Sequence, residues 1–203
     1  MRNLFSRILR GATLICLTGN LMALDLCQKV QEFSEVLSSQ KSIELKLLKD
    51  CPEVIPTLGQ WKYEEWHSHD TSLTVEKAIN GFKKYLSDTD VPFALVAFQD
   101  NRPIAVISLK AHGGAAFADL AGPHEAWGGI LRVIPEARNK GLAKTLGHLL
   151  MTIARQLGYT SIYFYTTNPS NIPLYMKYGA EIVETRLARG RMVTILKIPL
   201  QSE

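Results

Sequence analysis

Six residues in the second half of the chain, Arg138-Asn139-Lys140-Gly141-Leu142-Ala143, join an apolar, β-prone run to an amphipathic helical pattern. A strand that ends in a tight glycine-bearing turn and opens directly onto a helix aims several unpaired backbone N–H groups, and the positive end of the helix dipole, at one point. Such a point suits phosphate. Arg138 and Lys140 add charge there, while Gly141 and Ala143 are small enough for the backbone to approach an anion. The turn is not a Walker loop, since no Gly-Lys-Ser/Thr follows, and it is not a Gly-x-Gly-x-x-Gly dinucleotide turn.

Other chemistry-bearing residues are less organised. His67-Ser68-His69-Asp70 has metal-ligand types, but no further ligands stand at fixed spacing, so it reads as a solvated loop. Cys16, Cys27 and Cys51 lack the paired spacing of a zinc ribbon or a disulfide framework and read as buried or free thiols.

The elements that must position the turn follow from hydrophobic periodicity. Leu26, Val30, Phe33 and Leu37 predict a helix over 24–37, ended by Ser38 and Ser39. Alternation at Ile43, Leu45 and Leu47 predicts the first strand. Helices follow over 54–66, with Pro56 in the first turn, and over 75–86. The runs 93–98 and 104–109, split by Gln99-Asp100-Asn101-Arg102-Pro103, predict an antiparallel hairpin. Residues 111–124 read as a loop and 127–133 as the strand before the turn. The helix after it, to about Leu157, has Leu142, Leu146, Leu149, Leu150 and Ile153 as its core face, and Gly158 stops it. A short strand over 161–166, a short helix over 172–178 and a closing hairpin of 181–187 with 192–198 complete the chain. The fold class is α+β, with a mixed, mostly antiparallel sheet flanked by helices. We divide the chain into an N-terminal extension, 1–41, and one domain, 42–203.

With 203 residues, 46% of them hydrophobic, the chain can build a real core, and no apolar run reaches the roughly 20 residues of a bilayer span. The formal net charge of +4 is misleading. Arg2, Arg7 and Arg10 stand before the first acidic residue, so the body is close to neutral and carries no basic stripe with interleaved aromatics; nucleic acid is not expected as a partner. Leu4, Phe5, Ile8, Leu9, Ala12, Ile15 and Cys16 fall on one side of a helix opposite these arginines. Three readings stay open for residues 1–23: a leader for export or an organelle, a segment lying on a membrane surface, or an extension without a role in the fold.

The ordered segments Leu131-Arg132-Val133, Arg138 to Ala143, Tyr163-Phe164-Tyr165-Thr166 and Asn168 to Ala180 together resemble the GNAT superfamily of acyl-CoA-dependent N-acetyltransferases. Trp127 and the closing Arg189-Gly190-Arg191-Met192-Val193-Thr194 resemble a prokaryotic-type branch of unassigned substrate. The resemblance implies acetyl-CoA as co-substrate and no metal. It implies that backbone groups of Leu131, Arg132 and Val133 hold the pantetheine arm and that Arg138, Asn139, Lys140, Gly141, Leu142 and Ala143 cradle the pyrophosphate. Asn168 and Asn171 are then further cofactor contacts, and Tyr175 the acid that protonates the departing thiolate. Glu125, and beside it His124, stand where a base would reach the acceptor through water. Asn139, Lys140 and Ala143 depart from the residues common in the family's turn, and Pro173 and Ala180 from those around its tyrosine. The expected reaction is direct transfer of acetyl to a primary amine of a small molecule or peptide, in the cytoplasm, with export or organelle targeting as the alternative if 1–23 is a leader. A homodimer is left open. A cofactor-binding regulatory module without catalysis is the alternative function.

Overall fold

The computed structural model describes residues 26–200 except 69, 89 and 189. The segment 1–23, with its three readings, lies outside the described residues, as does His69.

Helix α1 (Leu26–Lys41) leads into β1 (Glu44–Leu47), then α2 (Ile55–Trp66), α3 (Val75–Phe82), β2 (Phe93–Gln99), β3 (Arg102–Lys110), β4 (Glu125–Val133), α4 (Leu142–Gln156), β5 (Ser161–Thr166), α5 (Ile172–Met176), β6 (Glu181–Ala188) and β7 (Arg191–Pro199). The strands form one seven-stranded sheet in the order β1-β2-β3-β4-β5-β7-β6. Every neighbouring pair is antiparallel except β4 with β5. That pair is parallel because α4 carries the chain back across the sheet between them.

Period-two alternation divides the core between the faces. Leu45, Leu95, Ile107 and Ile162 point toward α1 and α4, joining Leu26, Val30 and Leu37 with Leu146, Leu149, Leu150 and Ile153. Val96, Val106 and Phe98 point the other way, onto Leu58 of α2 and Phe82 of α3. A third cluster, Phe117, Trp127, Tyr163, Val193 and Ile195, sits where the 111–124 loop folds over the sheet.

Local differences from the sequence expectations have physical causes. Helix α1 runs through Ser38 and Ser39 to Lys41; the Ser39 hydroxyl donates to the Val36 carbonyl, and Ser42, with φ of 53°, ends the helix instead. Helix α3 stops at Phe82, four residues early, and Leu86 forms an isolated bridge to Phe93. In the β2–β3 hairpin, Asp100 and Asn101 both have positive φ, at 51° and 60°, as a two-residue turn of that twist requires. Pro173 is accommodated in the first turn of α5, where its missing N–H costs nothing.

Candidate active site

Strands β4 and β5 pair only over Glu125–Ser161, Ala126–Ile162 and Trp127–Tyr163. Beyond that point β4 continues for six residues without a ladder to β5, so a cleft opens through the sheet. The other edge of β4 stays paired to β3, with a bulge in which Gly129 and Ile130 together oppose Ser108. The Ile134 N–H donates to the Ile104 carbonyl on β3. By alternation Arg132 also turns its backbone groups to β3, while Leu131 and Val133 turn theirs to the cleft. Of the three backbone positions expected to line the cleft, two face it. The Val133 carbonyl already accepts from Nε of Arg138 at 2.9 Å, so that side chain folds back over the strand end.

The side chain of Arg132 has its own task. Its guanidinium donates to the Trp61 carbonyl and to Glu65 at 3.0 Å, lies 3.5 Å from Glu64 and stacks on the Trp61 ring at 5.7 Å. Only 13% exposed, it staples the last turn of α2 to the C-terminal end of β4. Glu64 and Glu65 are therefore paired rather than free at the mouth of the cleft.

After β4, a 3-10 turn over Pro135–Ala137 leads to Arg138, and Asn139 and Gly141 follow with φ of 60° and 77°. Two left-handed residues around Lys140 curl the backbone into a small concave turn at the start of α4. Helix α4 has no side-chain cap, and its first helical bond is Thr145 N–H to the Gly141 carbonyl. The N–H groups of Leu142, Ala143 and Lys144 therefore point out of the helix end. A β-carbon at Gly141 would meet nothing within 4 Å, so backbone conformation, not crowding, demands glycine there. Nζ of Lys41 donates to the Lys140 carbonyl at 3.3 Å and ties α1 to the turn.

On the α4 side of the cleft, Phe164 of β5 fills the space beside Gly128 of β4. Its ring packs at 5.3 Å from that of Tyr175 on α5. Burial, and then the neighbouring Tyr178, push the Tyr175 phenol above its usual range, so it holds its proton at neutral pH. Asn168 Oδ1 accepts from the Ser170 N–H at 3.0 Å, and Asn171 donates to Thr166 Oγ1 at 3.4 Å, so both side chains shape the turn between β5 and α5.

Glu125 lies at the paired start of β4, about 10 Å along the strand from Gly128. Its Oε1 accepts from Lys197 at 2.5 Å and from Ser161 at 2.8 Å, and its Oε2 from the Gly122 N–H at 2.7 Å. Burial pushes this carboxyl up, but those three partners together outweigh it and hold the carboxyl below its usual range. His124 is exposed and offers its carbonyl to the N–H and hydroxyl of Thr160. Trp127, 1% exposed, is packed between Phe117 and Tyr163 at 5.0 and 5.3 Å. His67 stacks on Tyr63 and contacts its carbonyl at 2.8 Å.

Ser108 and Tyr85 carry no sequence expectation of their own, while Tyr165 stands in the β5 segment already quoted. Ser108 Oγ, completely buried, accepts from the Ile130 N–H at 3.0 Å under the bulge. Tyr85, just past α3, packs against the same apolar cluster as Ile130. A lone polar residue inside the apolar run of β3 is the signal for Ser108.

A family model described as the acetyltransferase (GNAT) family matches residues 48–180. No curated protein matches the chain by sequence. Among solved structures it is similar to the acetyltransferase of GNAT family from Streptococcus pneumoniae, with 19% identity over 78% of this chain and 100% of that one and a TM-score of 0.55. It is similar also to aminoglycoside 6'-acetyltransferase type Ii, with 14% identity over 78% and 98% and a TM-score of 0.60. A third is AAC(6')-Ib in complex with ribostamycin and coenzyme A, with 16% identity over 77% and 93% and a TM-score of 0.60. At these identities the likeness is one of fold.

Proposed function

The chain belongs to the GNAT family of acetyltransferases, and from that premise we propose that it moves an acetyl group from acetyl-CoA directly onto a primary amine of a small molecule or peptide. One observation carries this reading: a cleft through the sheet, lined on one edge by unladdered backbone of β4, ends at the uncapped, cationic start of α4.

In this reading the N–H groups at 142–144, with Arg138 and Lys140, hold the pyrophosphate, and Asn139 and Gly141 supply the curvature. Leu131 and Val133 offer backbone groups to the pantetheine arm as a neighbouring strand would. Arg138 must release the Val133 carbonyl for that carbonyl to take part. Asn168 and Asn171 keep the turn after β5 in shape beside the arm. A thioester supplies an acyl carbon that an uncharged amine attacks readily once held close. Tyr175, protonated and on the α4 side of the cleft, delivers its proton to the sulfur as the C–S bond breaks. Glu125 we assign to fastening Gly122, Ser161 and Lys197 at the closed end of the cleft rather than to the base role, because its oxygens are occupied and its carboxyl is held low. The acyl-transfer unit is residues 42–203, with α1 packed onto it. We place the reaction in the cytoplasm, where acetyl-CoA is supplied.

The test is thiol release from acetyl-CoA across an amine panel, beside calorimetry of acetyl-CoA binding. Binding with turnover, and kcat lowered about a hundredfold by Tyr175→Phe, is the expected result. Binding without turnover of any amine returns the protein to the regulatory alternative, and absence of binding defeats both.

A further inference from the structure

Where β4 and β5 part, the last laddered residues are Trp127 and Tyr163, and the next on each strand are Gly128 and Phe164. The Phe164 ring reaches across to β4 and fills the volume that a side chain at Gly128 would take. It is enclosed on its other sides as well. The ring of Tyr175 on α5 lies at 5.3 Å, Leu196 of β7 is the ladder partner, and Met151 of α4 packs on the same apolar cluster. The apex of the cleft is therefore closed on the α4 side by an aromatic ring held among α4, α5, β4 and β7, with little freedom to move.

We propose that Phe164 sets the acyl length: its ring stops the donor's acyl chain at the methyl of an acetyl group, and the site it fills is one for an unbranched alkyl chain and not for a carboxylated one. The inference rests on the acetyl-transfer reading and deepens it by naming the side chain that excludes longer donors.

In that reading the thioester sulfur lies within reach of the Tyr175 phenol, so the acyl carbon bonded to it sits at the apex. With the acid on the α4 side of the sheet, the amine attacks from the opposite face and needs that face of the carbonyl free. A methyl group fits between the two. Carbons beyond the methyl must turn to the α4 side, and there the Phe164 ring already lies against β4. Shifting the strand makes no room, because Trp127, next to Gly128, is packed between Phe117 and Tyr163. Forcing an added methylene into such packing is unfavourable.

The lining decides which chain the site accepts once the ring is shortened. Met151, Ile172, Leu196 and Ile198 belong to the same apolar cluster as Phe164 and Tyr175. An alkyl chain gains from burial among them. A terminal carboxylate would lose its hydration with no cation among these side chains to replace it. The ring and not the backbone is the obstacle, since Gly128 has no side chain to trim and the pairing of residue 164 with Leu196 is made by main-chain groups.

The experiment measures chain length by turnover and by binding alone. Thiol release is followed for acetyl-, propionyl-, butyryl-, hexanoyl- and succinyl-CoA across the amine panel, and calorimetry uses the unreactive thioethers S-ethyl-, S-butyl- and S-hexyl-CoA, with wild type, Phe164→Leu and Phe164→Ala. In the wild type, kcat/KM is expected to fall about tenfold from acetyl to propionyl and at least as much again to butyryl, with thioether affinity falling in the same order. In Phe164→Ala the order of affinity reverses, S-hexyl-CoA binding about tenfold or more tighter than S-ethyl-CoA. Succinyl-CoA stays inactive, and Phe164→Leu lies between. Lost packing on Tyr175 lowers kcat for every donor alike, so the ratio between donors carries the result. If melting shows Phe164→Ala unfolded, Phe164→Leu supplies the same ratio. Wild type that takes butyryl-CoA as readily as acetyl-CoA, variants that keep the wild-type length profile, or a variant that takes succinyl-CoA as it takes butyryl-CoA, overturn the inference and leave acetyl transfer standing. The expected thioether ranking without turnover of any amine overturns acetyl transfer and leaves the length stop standing. No binding of any thioether overturns both.

Discussion

The ring of Phe164 occupies the space that a side chain at Gly128 would need. Two strands that have just parted are thus still in contact, not through backbone hydrogen bonds but through a ring laid against a bare Cα. The same ring packs on Tyr175, so the residue proposed as the acid is positioned through this contact.

Gly128→Ala is expected to destabilise the fold by about 1–3 kcal/mol through overpacking, because Phe164 is hemmed in by Tyr175 and cannot swing freely. Denaturant unfolding of Gly128→Ala beside Gly128→Ala/Phe164→Leu reads it: the smaller partner should restore part of the loss.

Gly141→Ala should cost about 1–2 kcal/mol by forcing a β-carbon into the left-handed region, with no clash to add to it. Gly141→Asn should cost less, since asparagine tolerates that conformation. The ordering Gly, Asn, Ala in chemical denaturation checks the claim, and acetyl-CoA affinity should fall in the same order.

Arg132→Lys is expected to behave as a loss and not as a conservative change. A single ammonium cannot serve the Trp61 carbonyl and Glu65 in the guanidinium's fork geometry while covering the Trp61 ring. Expected are about 1–3 kcal/mol of stability and a raised KM for the acceptor, with acetyl-CoA binding little changed. Glu65→Gln, at a half-exposed partner, should cost under about 1 kcal/mol.

Glu125 and Lys197 give stability a defined pH dependence. The Glu125 carboxyl is held below its unfolded value, so its contribution is complete above the ordinary carboxylate range and disappears as pH falls through the lowered folded value. Lys197 is raised, first by the hydrogen bond to Glu125, so its contribution is present below the ordinary lysine value and disappears as pH rises through the raised one. Melting curves of wild type and Glu125→Gln should therefore differ at neutral pH and converge toward pH 3. A gap that persists at low pH would contradict the assignment.

Much of the scaffold was legible in the chain because it is local. The core face of α4 and the hairpin at Asp100-Asn101 follow from spacing within a dozen residues, and the ordered segments from 131 to 180 carried the turn at Gly141. What escaped was non-local. Tyr85 was read as helix because its apolar neighbours continue the pattern of α3, yet the bridge from Leu86 to Phe93 takes the chain into the sheet instead. Ser108 meets the Ile130 N–H only because β3 and β4 are adjacent and β4 bulges there, and no spacing between positions 108 and 130 encodes that. Arg132 was assigned by its backbone, whereas its side chain decides where α2 ends up.

The three-residue ladder between β4 and β5 means that the sheet is two rafts, β1 to β4 and β5 to β6, lashed together at one end. Whatever lies in the gap serves as the missing plank, and its chemical potential enters the folding equilibrium as surely as any side chain. A ligand at a hundred times its dissociation constant adds about 2.7 kcal/mol, and here the addition falls on the seam between the rafts. If acetyl-CoA binds there as proposed, its supply in the cell sets how tightly the enzyme holds its own halves together.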